Sequence, residues 1–170
     1  MDIISHGLWG GVAFGRKNKR AFWWSALFGI SPDLFSFGIF TVANLFERGG
    51  FGRPELSSIP GYVSSLYDLT HSLVVFATVF ALAWAVFRKP FWPMLAWPLH
   101  IAVDIFTHST EFFPTPFLWP LSIYRFDGVS WATPSIFFTN LALIAFAYAM
   151  WGIQRLRRRR AVREEISRRS

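Results

Sequence analysis

The chain has 170 residues, no cysteine, and is 53% hydrophobic with only 16% charged residues, against about 25% charge in an ordinary soluble domain. Its length implies one domain. The lack of Cys excludes a disulfide framework, an iron–sulfur centre and a thiolate zinc site, so any metal must use His and carboxylate. Nine Trp and twenty Phe suit interfacial aromatic belts better than a small aqueous core, and the chain reads as an integral membrane protein.

In chain order, residues 1–15 are apolar but short, with Gly7, Gly10, Gly11 and Gly15. They predict a short helix, either a fifth crossing or a re-entrant segment. Four apolar stretches follow, at 21–46, 71–87, 90–108 and 134–153. Each is near or above the roughly 20 residues that cross the hydrocarbon. The expected fold is therefore all-α: a polytopic bundle of four transmembrane helices plus the N-terminal piece, over 1–154, with a basic tail at 155–170. Pro32 predicts a kink or break in the first span, and its freed carbonyl must find another partner at depth. Pro93 and Pro98 disturb the start of the third. Asp68 or Thr70 is expected to cap the second span, and Thr133-Pro134 to open the fourth.

Charge orients these spans. Four basic residues lie in Arg16–Arg20, two at Arg88 and Lys89, and eight from Arg155 to Arg169; only Arg48, Arg53 and Arg125 fall elsewhere. Placing the clusters in the cytoplasm closes the topology. It predicts an inner (plasma) membrane protein with a cytoplasmic C-terminus, and outer loops at 47–70 and 109–133 that carry Glu47, Glu55, Asp68, Glu111 and Asp127. The tail lacks stacking aromatics and any recognisable module, so membrane lipid is the expected partner and nucleic acid is not. No cleavable signal peptide is expected, and no pattern assigns an oligomeric state.

Six ionisable residues sit in or beside apolar sequence: His6, Asp33, His71, His100, Asp104 and His108. Each such group costs about 2.5–3.5 kcal/mol on insertion scales, and a shared partner explains all six together. Steps of four residues keep His100, Asp104 and His108 on one helical face, about 6 Å apart. Imidazole and carboxylate suit zinc, and also iron or manganese; one or two ions are expected. The alternative is a polar stripe hydrogen-bonded between helices, with His71 merely interfacial and Asp33 merely a cap. The spacing puts His71 and His108 at the outer boundary, with Asp104 and His100 below it. His6 joins them only if residues 1–15 start outward. Thr107 is a candidate supporting partner.

Several pieces carry a resemblance. Ser5-His6-Gly7, Ser31-Pro32-Asp33-Leu34, Thr70-His71-Ser72-Leu73, Leu99-His100 through Asp104 to Thr107-His108, the run Phe112–Pro120 and Phe126-Asp127-Gly128 together resemble the membrane-bound, metal-dependent hydrolase family (YdjM-like). That family is distantly similar to zinc-dependent phospholipase C. Leu66-Tyr67-Asp68 stands where some members have His-Arg-Gly. The resemblance implies His6, Asp33, His71, His100 and Asp104 as metal ligands, with His108 as a sixth. It also implies hydrolysis of a phosphodiester or lipid-linked substrate near the outer face. Asp33 or Asp104 is the candidate general base, and Arg125 a candidate phosphate contact. The competing expectation is a non-enzymatic membrane protein whose His/Asp cluster is structural or handles ions. The inner halves of the spans offer few polar residues for a transport route.

Overall fold

The computed structural model describes residues 1–48 and 55–169, and among them it is entirely helical. The helices are α1 (Ile3–Phe14), α2 (Lys19–Arg48), α3 (Gly61–Thr70), α4 (Leu73–Phe87), α5 (Ala96–Thr107) and α6 (Pro134–Arg169). Short 3-10 turns occupy Leu56–Ser58 and Trp92–Leu95. The interior is polar and the exterior apolar. Ser5, His6, His71, Ser72, His100, Asp104 and Thr115 are buried, while Phe46, Ile39, Val86 and Phe87 are at least 71% exposed. Water would penalise that distribution, whereas a bilayer favours it.

Two helices, α2 and α6, are long and apolar enough to cross a membrane, and α3 with α4 forms a bent pair, either one broken span, which makes three, or a re-entrant loop. The expected third span, 90–108, is not a full crossing. Its helix is the 12-residue α5, only about 18 Å long, because the Pro93 region is a 3-10 turn. Pro98 is tolerated in the first turn of α5, where the donor it lacks has no intrahelical partner. α1 is equally short. Both pack inside the bundle, where α2 is the hub for α1, α3, α5 and the Trp92–Leu95 turn, while α6 leans on α1.

Local chemistry explains these joints. Asp2 caps α1 by accepting from the Ser5 amide at 2.9 Å. Helix α2 runs unbroken through Pro32, so the expected break does not occur. Pro32 cannot donate to the Phe28 carbonyl four residues back, and Ser31 Oγ donates to it instead at 3.1 Å. Between α3 and α4 the chain bends by 59°. Here the cap is neither Asp68 nor Thr70 but Ser72, whose Oγ accepts from the Val74 and Val75 amides at 3.1 Å each and donates to the Trp119 carbonyl. The Thr70 carbonyl freed at this bend accepts from Trp97 Nε1 at 2.6 Å. Ser72→Ala is expected to cost about 0.5–2 kcal/mol, read as a lower thermal midpoint in detergent with metal content retained.

The three basic clusters share one end of the bundle. Near that end Phe22 stacks on Trp151 at 5.9 Å, Trp24 meets Phe91 at 5.9 Å, and the Arg155 guanidinium lies 5.8 Å over Trp151. Helix α1 descends toward that end from the opposite side, where Met1 touches Asp104, to Leu8, whose carbonyl accepts from Tyr148 Oη. Its start therefore lies at the end away from the basic clusters, and His6 does reach the other candidate ligands. The tail is no separate segment: α6 continues through it to Arg169. Glu47 and Arg53 bear on the expected outer loop, but the Glu47 side chain and residue 53 lie outside what is described.

Candidate metal centre

All six candidate ligands converge. Asp33 comes from the Pro32 turn of α2, His71 from the α3–α4 bend, His100 and Asp104 from α5, His6 from α1, and His108 from the residue after α5. His108 departs from the expected helical face: α5 stops at Thr107 and His108 is extended, at φ −116° and ψ 137°. The carbonyls of Phe106, Thr107 and His108 accept from the amides of Val129, Trp131 and Gly128 at 2.9–3.0 Å. The loop thus replaces the next helical turn. His71 packs against the middle of α2 and not at its end. Its Nε2 lies 3.1 Å from His100 Nε2, and Thr70 beside it donates to the Pro32 carbonyl at 3.1 Å, so the bend folds His71 down to the level of mid-α2.

The first set consists of Asp33, His71, His100 and Asp104, each offering one ligand atom within 4.8 Å of the others. His71 Nε2 is 3.4 Å from Asp33 Oδ1 and 3.7 Å from Asp104 Oδ2; His100 Nε2 is 3.8 and 3.1 Å from the same atoms. A tetrahedral centre with bonds of 2.0–2.1 Å has edges of about 3.3 Å, so these separations suit one ion. The second set gathers on the other oxygen of Asp104. His6 Nε2 lies 2.9 Å and His108 Nε2 3.7 Å from Oδ1, and the Met1 amino group bonds it too. That ammonium puts a cation where the second set converges.

Tautomers test the fit. His100 Nδ1 faces the Gly29 carbonyl at 2.7 Å, His71 Nδ1 faces the Tyr67 carbonyl at 3.2 Å, and His108 Nδ1 faces the Phe113 carbonyl at 2.9 Å. A carbonyl only accepts, so each Nδ1 carries a proton, and in the neutral imidazole Nε2 then turns a lone pair inward. In that neutral state the facing lone pairs of His71 and His100, 3.1 Å apart, repel, and a metal ion between them relieves the repulsion. Asp104 Oδ2 is buried with no hydrogen-bond partner, a costly state that a bound cation removes. The donor set and the orphaned oxygen both fit a divalent ion.

Access is partial. The Asp104, His71 and His100 side chains are fully buried, whereas Asp33 is 15% and His108 12% exposed. The cluster is therefore open to the exterior only at Asp33 and His108. Thr107 Oγ1 lies 3.4 Å from Asp104 Oδ1 but 3.1 Å from the Val103 carbonyl of its own helix, the backbone bond common for a mid-helix Thr. Arg125 instead braces the outer loop: Nη2 donates to Asp68 Oδ1 at 2.9 Å and Nη1 to the Pro114 carbonyl at 3.0 Å. Asp127 pins the same loop, and its carboxyl is held below the usual range by the Thr110 amide and hydroxyl.

Tyr67, named in the sequence only within the Leu66-Tyr67-Asp68 departure, belongs to the site. Its ring stacks on His71 at 3.8 Å, and its Oη donates to the Phe113 carbonyl at 2.9 Å while lying 3.0 Å from His108 Nδ1. Its position one turn before His71 was the available signal. Tyr67→Phe keeps the stack and loses the hydroxyl. It is expected to weaken metal retention by about 10–100-fold, measured by competition with a chelator.

Comparisons with protein families, curated proteins and solved structures found no match to this chain.

Proposed function

We propose that this chain is a membrane-bound, metal-dependent hydrolase acting on a phosphodiester or lipid-linked substrate. The observation that carries the proposal is Asp104, buried and presenting one oxygen to Asp33, His71 and His100 and the other to His6 and His108. In this reading Asp33, His71, His100 and Asp104 would hold a divalent ion, zinc being the first candidate and iron or manganese the others. His6 and His108, on the other oxygen of Asp104, would serve a second ion only if it displaced the Met1 ammonium. A bound divalent ion supplies Lewis acidity, which for zinc lowers the pKa of water from 15.7 to about 7. Asp33 faces His71 and His100 through Oδ1, and its other oxygen would accept the proton released from water. The carbonyls of Gly29, Tyr67 and Phe113 keep the imidazoles in register. Arg125 secures the loop over the site through Asp68.

The positive-inside bias puts the shared basic end in the cytoplasm of an inner membrane, with the centre toward the outer face. A reporter fused after residue 170 should then be active inside the cell.

The competing reading is a structural or ion-handling cluster, which the near-complete burial of Asp104, His71 and His100 favours. Access at Asp33 and His108 speaks for catalysis, because a structural site is closed. Metal content of the detergent-purified chain decides, alongside a His100→Ala, Asp104→Ala double variant and hydrolysis of bis(4-nitrophenyl) phosphate. Stoichiometric metal and hydrolysis, both lost in the variant, support the enzyme. Stoichiometric metal without hydrolysis of this or any lipid phosphodiester leaves the structural cluster, and background metal in both chains removes the centre.

A further inference from the structure

Beside the metal centre an apolar cleft of ≈ 360 Å³ lies between α1, α5 and α6, within the range of about 300–1,000 Å³ typical of ligand sites. Thr107 and Trp131 line one end, Val103, Ile136 and Asn140 the middle, and Leu143 the far end. From Ser135 to Leu143 the wall runs eight residues down α6, about 12 Å. Its polar side chains Asp2 and Asn140 are engaged elsewhere: Asp2 accepts from Ser5 Oγ at 2.6 Å, and Asn140 bonds Ser5 Oγ at 2.8 Å and Trp9 Nε1 at 2.9 Å.

Two observations say what fills it. First, the cleft meets the centre at Thr107, whose Oγ1 is 3.4 Å from Asp104 Oδ1. Second, it opens sideways: Thr139 is exposed and Leu143 is 51% exposed, on a helix apolar enough to cross a membrane. An opening in the flank of such a helix faces hydrocarbon, which admits a lipid chain and not a water-soluble ester. We propose that the cleft seats one acyl chain of a membrane lipid whose polar head lies beside Thr107 at the edge of the metal centre, so that the substrate is an amphiphile. The proposal rests on the hydrolase reading for its catalytic meaning, but the chain-binding cleft is tested separately.

The test reconstitutes the full chain in bilayers of phosphatidylethanolamine and phosphatidylglycerol. A trace of the phosphatidylglycerol carries a diazirine at mid-chain, and labelled peptides are mapped after irradiation. Labelling should concentrate on Val103, Ile136 and Leu143, above that on Phe138 and Leu141, which are 66% and 41% exposed on the other side of α6. Leu143→Trp and Val103→Phe each fill the cleft and should lower its labelling on the order of tenfold, leaving Phe138 and Leu141 unchanged. Labelling no stronger in the cleft than on Phe138, or unaltered in both filled variants, means surrounding lipid only and overturns the proposal. The wild-type map decides by itself if either variant fails to fold. Cleft labelling in a chain that holds no metal supports the lipid site and removes only the hydrolase. Stoichiometric metal with an unlabelled cleft removes only the lipid site.

Discussion

Asp104→Ala is expected to purify with metal at background level and to unfold well below the wild-type temperature in detergent. One oxygen of this carboxylate faces His71 and His100, and the other faces His6, His108 and the Met1 amino group. Truncation removes a ligand from both sets at once. It also leaves the Met1 ammonium buried without its counter-charge, and breaking a buried pair in this way costs about 3–5 kcal/mol. Asp104→Asn keeps the shape but not the charge, and should hold less metal than wild type while unfolding less easily than the alanine variant. Arg125→Ala is the contrast. Its pair with Asp68 is about a third exposed, worth about 0–1 kcal/mol, so metal content should persist. Metal analysis and a thermal melt on the four chains check all of this.

Gly29→Ala is expected to be nearly as damaging, although Gly29 ligates nothing. A Cβ there would run into the His6 carbonyl oxygen, with the carbonyl carbon at 3.1 Å and Gly7 Cα at 3.4 Å. These are backbone atoms and cannot rotate away, so α1 must move off α2 and carry His6 with it. Overpacking of this kind costs about 1–3 kcal/mol, and the same residue supplies the carbonyl that orients His100. Lower thermal stability and impaired metal retention should appear together. Gly61→Ala, where a Cβ meets nothing within 4 Å, should match wild type on both measures.

The chemistry of the centre was more legible in the sequence than its geometry. His100 and Asp104 were legible because four-residue spacing is a property of the helix itself, and α5 holds them side by side. His108 lies one step beyond the point where that rule applies: no Gly or Pro marks the end of α5, which is set by amides more than twenty residues later. His71 opens an apolar run, so it reads as a boundary residue. Its true depth depends on the 59° bend and on Trp97 and Trp119 satisfying the broken backbone, and no local pattern encodes those contacts. The third span was overcounted for a related reason. Hydropathy sums apolar residues whether or not they form helix, and the Trp92–Leu95 turn contributes to the sum without extending α5. Pro32 gave the right question and half the answer: the freed carbonyl does find a partner, but Ser31 supplies it so locally that the helix never breaks.

The gathering of the buried ionisable groups among the described residues into one locus bears on how the protein matures. Helices α1, α2 and α5 and the α3–α4 bend meet there with two carboxylates against one ammonium, and with imidazole nitrogens facing each other. A divalent cation held there, as proposed, would bind the assembled chain and not the dispersed helices, so its binding energy would become assembly energy. Metal supply would then govern how much of the protein accumulates. A cell starved of the ion would lose the chain itself to turnover in the membrane, as well as whatever chemistry it performs.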